Sequence, residues 1–260
     1  MKKYLVIGNP IEHSLSPQLH NYWFKKNNIN AVYDKKKLKP NDIGETILQI
    51  KNNKINGINV TVPFKKSVIS FLDKLTKTAE KTQSVNTIFK KDNEIVGDNT
   101  DAEGFKFSLK HINYDVKNKN IYILGAGGVV PSIILALKEL GASKIYLSNR
   151  TKEKAEDLKK IYPDLEIVNW GENTDFEMII NATSLGLKKN DKIELDYNKF
   201  GSNKLFYDLI YNPRKTNFLL KGAELGHQIE NGKMMFIYQA QLAFKIWHNI
   251  LPIVEDGLLD

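Results

Sequence analysis

An α/β protein is predicted by three features of the chain. Short apolar strands alternate with helical stretches over the first hundred residues. One later stretch reads strand, glycine turn, helix, strand, and further apolar strand-like runs follow it. Alternation of this kind implies a layer of parallel strands covered by helices. A length of 260 residues leaves room for one large domain or two modest ones.

The elements follow in order. "KYLVIG" (3–8) is an apolar strand ending in Gly8. Residues 17–28 read as a helix opened by Ser16 as N-cap and Pro17 at the first helical position. "AVYDKKKL" reads as a strand, 41–52 as a helix capped near Asn41, and "INGINVTV" as the third strand. Short helices are expected over 64–82, and "NTIFKKDNEIVGDN" reads as a hairpin turning at Asp92-Asn93. A helix over about 102–112 leads to "NIYIL", a buried-type strand, and then to "GAGG". Residues 128–140 place Val129, Ile133, Ala136, Leu137 and Leu140 at helical spacing, and Gly141 ends that helix. "KIYLSN", "EMIINATSLG" and "LFYDLIY" are the later strands. From about 232, "GKMMFIYQAQLAFKIWHNIL" reads as a long helix expected to return to the first domain, making that domain discontinuous.

Composition narrows the function classes. The apolar fraction of 42% and charged fraction of 26% are ordinary for a soluble globular chain. No apolar run is long enough to cross a membrane. "MKKYLVIGNP" turns polar without a small-residue cleavage pattern and does not read as a signal peptide, so a cytoplasmic location is expected. Without cysteine there are no disulfides, thiolate metal sites or cysteine nucleophiles. The five histidines (13, 20, 111, 227, 248) have no metal-ligand spacing, and no metal is expected. A net charge of +8 invites a nucleic-acid reading. Against it, Arg150 and Arg214 are the only arginines, and the lysines are spread without interleaved aromatics. A mildly positive field suits a small anionic substrate.

The stretch "NVTVPFKK" (59–66) puts Val60 and Val62 on one face and Asn59 and Thr61 on the other. Pro63 blocks further ladder pairing, and Lys65 follows. On these residues alone, an edge strand with one wet face and a solvated lysine is the simpler account.

The glycine turn carries more information because of its context. Gly125 and Gly127 fit the first two glycines of a dinucleotide-binding turn, one for the tight turn and one for close approach of the backbone to a pyrophosphate. Amides of the turn Gly125, Ala126, Gly127, Gly128 and Val129 then face the phosphates at the helix start. The third glycine position is Val130, so strand and helix must pack closely by other means, and Pro131 is compatible with a first helical turn. NAD sites usually place a carboxylate at the end of the second strand. Here stand Asn149, Arg150 and Thr151, with Lys154 one turn on. A guanidinium beside neutral groups suits a 2′-phosphate, which predicts NADP. Asn149 and Thr151 are also placed to cap the next helix.

Read together, "GNPIEHSLSPQLHN" (8–21), "INVTVPFKK" (58–66), "SVNTI" (84–88), "GDNTDAEGF" (97–105), "GAGGVV" (125–130), "SNRT" (148–151), "NATSLG" (181–186), "DLIYNPRKT" (208–216) and "NGKMMFIYQA" (231–240) resemble the shikimate dehydrogenase family in order and spacing. The likeness covers essentially the whole chain. It implies an NADP-dependent oxidoreductase that reversibly reduces 3-dehydroshikimate to shikimate in aromatic amino-acid biosynthesis. It also implies an N-terminal α/β substrate-binding domain (1–102 with 236–260), a Rossmann-like NADP-binding domain (103–235), and an active site in the cleft between them.

Carried over residue by residue, the resemblance implies that Ser14 and Ser16 bind the substrate carboxylate. Asn59, Thr61, Asn86 and Gln239 would bind ring hydroxyls or the carboxylate, and the polar face of "NVTV" becomes a hydrogen-bonding wall. Lys65 and Asp101 match the family's catalytic pair, an ammonium beside a carboxylate that stabilises a developing alkoxide and exchanges its proton. Without the resemblance, Asp101 reads as the N-cap of the helix beginning near Ala102. Tyr211 should approach the substrate. Gly232 and Met235 should lie near the nicotinamide, and Asn181, Ala182 and Thr183 should line its ribose side. Met235 could equally be core. Arg214 is given no role. The partners expected are a small-molecule substrate, with no nucleic acid and no membrane, in a monomer or homodimer. The alternatives are a quinate/shikimate dehydrogenase with relaxed substrate or cofactor choice, and a non-catalytic NADP-binding protein on the same scaffold.

Overall fold

A computed structural model describes residues 1–172, 174–255 and 257–259, so the last position of the expected first domain, 260, lies outside the described residues. The chain divides into two units, Met1–Gly104 with Ile237–Asp260, and Phe105–Phe236.

The first unit contains β1 (Lys2–Gly8), α1 (Ser16–Lys26), β2 (Ala31–Lys37), α2 (Ile43–Lys51), β3 (Gly57–Val60), β4 (Lys74–Leu75), α3 (Lys77–Thr82), β5 (Thr87–Lys91) and β6 (Glu94–Asp98). Its sheet runs β2-β1-β3-β5-β6-β4. The β1 strand pairs in parallel with β2 and β3, whereas β5 is antiparallel to both β3 and β6. The β5–β6 hairpin turns at Asp92 and Asn93, whose φ angles of 49° and 67° suit the tight primed turn of a twisted ribbon. One core gathers Ile7, Ile43, Ile47, Ile58, Val60, Phe64 and Val68.

The chain then passes through α4 (Asp101–His111) into β7 (Ile121–Leu124), α5 (Val130–Glu139), β8 (Ile145–Ser148), α6 (Lys152–Ile161), β9 (Glu166–Ile167), β10 (Met178–Asn181), β11 (Leu205–Asp208), α7 (Asn217–Glu224) and β12 (Gln228–Glu230). This second sheet is wholly parallel, in the order β12-β11-β10-β7-β8-β9. Its central strands β7, β10 and β11 are buried at every residue, as expected where helices cover both faces of a parallel sheet. Tyr122, Phe176, Phe206 and Phe218 centre its core. The last helix, α8 (Lys233–His248), brings Phe244 and Trp247 into an aromatic cluster with Tyr4, His20, Trp23, Phe24 and Tyr33 of the first unit. Burial pushes the His20 imidazole down to about 3, with His248 adding repulsion, so the ring is neutral at ordinary pH.

Several local expectations are corrected. Ser16 is the first residue of α1 and not its N-cap, a position that falls on Leu15 without a side-chain bond. Asn41 does not cap α2; it lies in a 3-10 turn (Pro40–Asp42) in which the Asp42 carboxylate accepts from the Lys39 amide. The third strand ends at Val60, because the Phe64 amide closes a turn onto the Thr61 carbonyl at Pro63. Val62 is therefore half exposed and does not share the buried environment of Val60. The segment 64–82 holds a 3-10 turn (Ser67–Phe71), the short strand β4 and α3 rather than helices alone.

Candidate active site

In the first unit the structure gathers the polar residues of four separate stretches. Lys65 follows the Pro63 turn, and its carbonyl accepts from the Val85 amide at 2.8 Å, which ties it beside β5. Its ammonium lies 2.6 Å from Asp101 Oδ2, with the two side chains only 10% and 6% exposed. At that depth an unpaired charge would be costly, so pairing is what permits burial of both groups. The other carboxylate oxygen, Oδ1, accepts from Asn86 Nδ2 at 2.9 Å. Asn86 Nδ2 also lies 2.9 Å from Thr100 Oγ1 and 3.2 Å from Gln239 Oε1.

Asp101 is not a helix cap. Asn99 fills that role instead, since its Oδ1 accepts from the amides of Asp101 and Ala102 at 3.1 and 3.3 Å, while its Nδ2 donates to Thr82 Oγ1 and the Ser84 carbonyl. The Asp101 carboxylate is thereby left free to face Lys65, at the positive end of α4. Helix α4 crosses α8 at Gly104, where a Cβ would stand 2.8 Å from the Gln239 amide nitrogen. Only a residue without a side chain permits that crossing, and it brings Gln239 next to Asn86.

The remaining expected residues of this unit lie on β3, just beyond it, and on the loop after β1. Asn59 is buried, with Nδ2 donating to the Asn86 carbonyl (3.0 Å) and Thr87 Oγ1 (3.1 Å), and Oδ1 accepting from the Tyr33 hydroxyl (2.7 Å). Both of its amide protons are thus engaged within the protein. Thr61 is half-buried, and its amide donates to the Ile7 carbonyl. The loop after β1 returns here, since the Asn9 amide donates to the Val62 carbonyl. That loop leads to Ser14 and Ser16, whose hydroxyls are 3.2 Å apart. Thr87, Asn99 and Thr100 were missed by sequence reasoning. Asn99, two residues before a helical Asp in "GDNTD", carried a readable capping signal.

In the second unit, Gly125 ends β7 with φ of +107°, a conformation that side-chain-bearing residues rarely adopt. A Cβ there would also meet the Ala182 backbone at 2.9 Å. The turn Gly125–Val129 leads into α5, which starts at Val130, with Pro131 in its first turn. The Tyr162 hydroxyl donates to the Pro131 carbonyl, and Val130 is fully buried, so the missing third glycine is met by an apolar residue at the helix start. Asn149 does not cap α6. Its Oδ1 accepts from the Ala126 amide (3.1 Å) and its Nδ2 donates to the Thr151 carbonyl (2.7 Å), which fastens the glycine turn to the end of β8. Thr151 occupies the N-cap position without a side-chain bond.

Arg150 and Lys154 are exposed, and neither side chain has an ion-pair or hydrogen-bond partner among the described residues. With no carboxylate at 149–151, this end of β8 fits a 2′-phosphate better than a free 2′-hydroxyl. The close approach of the glycine turn and the exposed cations together fit NADP.

Asn181 is fully buried. Its Oδ1 accepts from the Thr183 amide and hydroxyl, and its Nδ2 reaches the Leu185 carbonyl and Asp208, so it organises the loop carrying Ala182 and Thr183. Tyr211 stacks on Phe236 with centroids 4.5 Å apart. The Gly232 amide donates to the Ile210 carbonyl, and Met235 is buried at 7% exposure. Among the described residues no group of three His, Asp or Glu side chains could hold a metal ion, and no helix is long and apolar enough to cross a membrane.

Comparison with known proteins identifies the family. The family profile described as the shikimate dehydrogenase substrate binding domain matches residues 6–88, and that of shikimate / quinate 5-dehydrogenase matches residues 108–214. The chain is 60% identical over 259 residues to the shikimate dehydrogenase (NADP(+)) of Pelagibacter ubique (strain HTCC1062), covering 100% of this chain and 98% of the relative. Among solved structures, the shikimate dehydrogenase of Aquifex aeolicus superposes with a TM-score of 0.91 at 39% identity, covering 97% of this chain and 94% of that one. The Thermus thermophilus enzyme, solved in complex with NADP(H) and shikimate, gives 0.89 at 28% identity, covering 97% and 95%. The strand orders, the buried ammonium–carboxylate pair and these matches along the whole chain lead to one conclusion: the chain belongs to the shikimate dehydrogenase family.

Proposed function

We propose that this protein catalyses the NADP-linked interconversion of 3-dehydroshikimate and shikimate. The observation that carries the proposal is the buried Lys65–Asp101 pair at 2.6 Å, set in a ring of amides and hydroxyls. A carbonyl being reduced develops negative charge on oxygen, and an ammonium fixed in a poorly hydrated site stabilises that charge and delivers a proton to it. NADPH, when bound, supplies the hydride. Asp101 orients Lys65 and keeps the site close to neutral when the lysine is charged. Asn86 in turn orients Asp101.

Ser14 and Ser16 offer paired hydroxyls to the substrate carboxylate, and Thr61, Asn86 and Gln239 offer donors and acceptors to the ring hydroxyls. Asn59 supports this wall mainly from behind, through the one Oδ1 lone pair and the neighbours it holds. In the second unit the turn Gly125–Val129 would hold the pyrophosphate from its helix side, since the Gly125 and Ala126 amides are already engaged by the Ser148 carbonyl and Asn149 Oδ1, and Arg150 with Lys154 would hold the 2′-phosphate. Asn149 and Thr151 fix the loop that presents those cations. Ala182, Thr183, Gly232 and Met235 would line the nicotinamide side, with Asn181 shaping the loop beneath, and Tyr211 would meet the substrate. The relatives' names and the ligands of the Thermus thermophilus structure support the same substrate and cofactor.

The test is to follow NADPH formation with shikimate, then with quinate, and then with NAD in place of NADP. The proposal expects turnover with shikimate and NADP and markedly less with either replacement. No NADPH formation with shikimate overturns it, and equal rates with quinate would favour the relaxed-specificity reading.

A further inference from the structure

We propose that Tyr33, remote in sequence from every residue of the reactive pair, is a positioning residue that anchors the start of a buried hydrogen-bond relay ending on Asp101. Its hydroxyl donates to Asn59 Oδ1 at 2.7 Å. The Asn86 carbonyl can only accept, so Asn59 turns Nδ2 toward it and toward Thr87 Oγ1, and the Tyr33 bond holds the opposite end of the amide, Oδ1, in place. Thr87 Oγ1, already accepting from Asn59, donates onward to Asn86 Oδ1 at 3.0 Å. With its oxygen committed, Asn86 presents Nδ2 to Asp101 Oδ1 at 2.9 Å. The Asn86 carbonyl and the Thr100 amide, each able to bond in one direction only, fix the polarity of the two asparagines, while the Tyr33 and Thr87 hydroxyls hold their side chains in position, so that an N–H is presented to the carboxylate.

The starting point is held unusually well. Tyr33 is 2% exposed, its ring stacks on His20 at 4.3 Å and 5°, and its backbone N–H and carbonyl are clamped by the Asn21 side chain at 2.9 and 2.8 Å. Asn59, Asn86 and Thr87 are all buried, so no solvent competes for these bonds. The Thr100 amide also donates to Asn86 Oδ1, at 2.8 Å, and this second hold limits the expected effect to a few-fold.

This inference rests on the activity proposed above and is tested so that the two can fail separately. Tyr33→Phe keeps the ring and its stacking, and Thr87→Val keeps the shape of β5. Each is expected to lower kcat for 3-dehydroshikimate reduction by about three- to tenfold with KM nearly unchanged, the scale of one buried hydrogen bond. The double variant should lose little more than the worse single one, because both interrupt the same relay. Without any substrate, the Asn86 side-chain amide resonances in a nitrogen-15 NMR spectrum should move in both single variants, with the folded fraction checked by thermal melting. An unchanged kcat in Tyr33→Phe, additive losses in the double variant, or unmoved Asn86 resonances would each overturn the relay. Should the wild-type protein fail to turn over shikimate, the proposed activity falls while the NMR result still judges the relay.

Discussion

Asp208, at the end of β11, offers a quantitative test of how the second unit is held together. Its carboxylate is fully buried, and desolvation pushes its pKa up from an ordinary 3.8 to about 6. The rise is opposed by hydrogen bonds from Thr216, the Ile210 amide and Asn181. The native state therefore binds this proton more tightly than the unfolded chain does. Below about pH 4 both states are protonated and the carboxyl carries no penalty. As pH rises from 4 through 6 the stabilisation is lost, and the ionised form then costs about 3 kcal/mol of stability, at 1.36 kcal/mol per pKa unit.

Asp208→Asn keeps the shape. Its oxygen still accepts from Ile210 and Asn181, and its NH2 donates to the Thr216 hydroxyl, which must turn from donor to acceptor at a cost of about 1 kcal/mol. The variant is expected to match the wild type near pH 4 and to be more stable by about 1–3 kcal/mol at pH 8. Urea denaturation at both pH values measures the difference directly. A variant less stable than the wild type at pH 8, or a difference that does not grow between pH 4 and 6, would show that Asp208 is not a strained acid.

Three further outcomes follow from the sites. Lys65→Ala should lower kcat at least about a hundredfold with a modest change in KM, and steady-state kinetics showing near-normal kcat would contradict its role. Arg150→Ala should weaken NADPH binding far more than NADH binding, as read by cofactor titration; equal losses would remove the 2′-phosphate assignment. Asn99→Ala should destabilise the protein by about 1–3 kcal/mol in chemical denaturation, since it uncaps α4 and strands buried groups, and should lower kcat by displacing Asp101.

Much of this architecture was legible because local and global signals agreed. The "GAGG" turn lay between a four-residue apolar strand and a periodic helix, and Asp92-Asn93 lay between two alternating runs. Strands β4, β9 and β12 were not legible, since two or three residues cannot show a period and their pairing is decided by a neighbouring strand. Ser16 misled because a serine before a proline satisfies the capping pattern, yet the helix begins one residue earlier than that pattern requires. The motif residues Lys65, Asn86 and Asp101 could be singled out one by one. The bonds linking them could not, nor could Tyr33, which enters the network from 26 positions before Asn59 across an intervening strand.

The bare Cα at Gly104 has a consequence for engineering. Because main-chain atoms rather than rotatable groups set the separation of Asp101's helix from Gln239, no rotamer change can move the two helices apart there. On the proposed placement of the substrate beside Gln239, a bulkier ring would require shifting a whole helix. Attempts to broaden the range of acids taken by the proposed site should begin instead with the loop bearing Ser14, whose paired Ser14 and Ser16 hydroxyls can be exchanged one at a time.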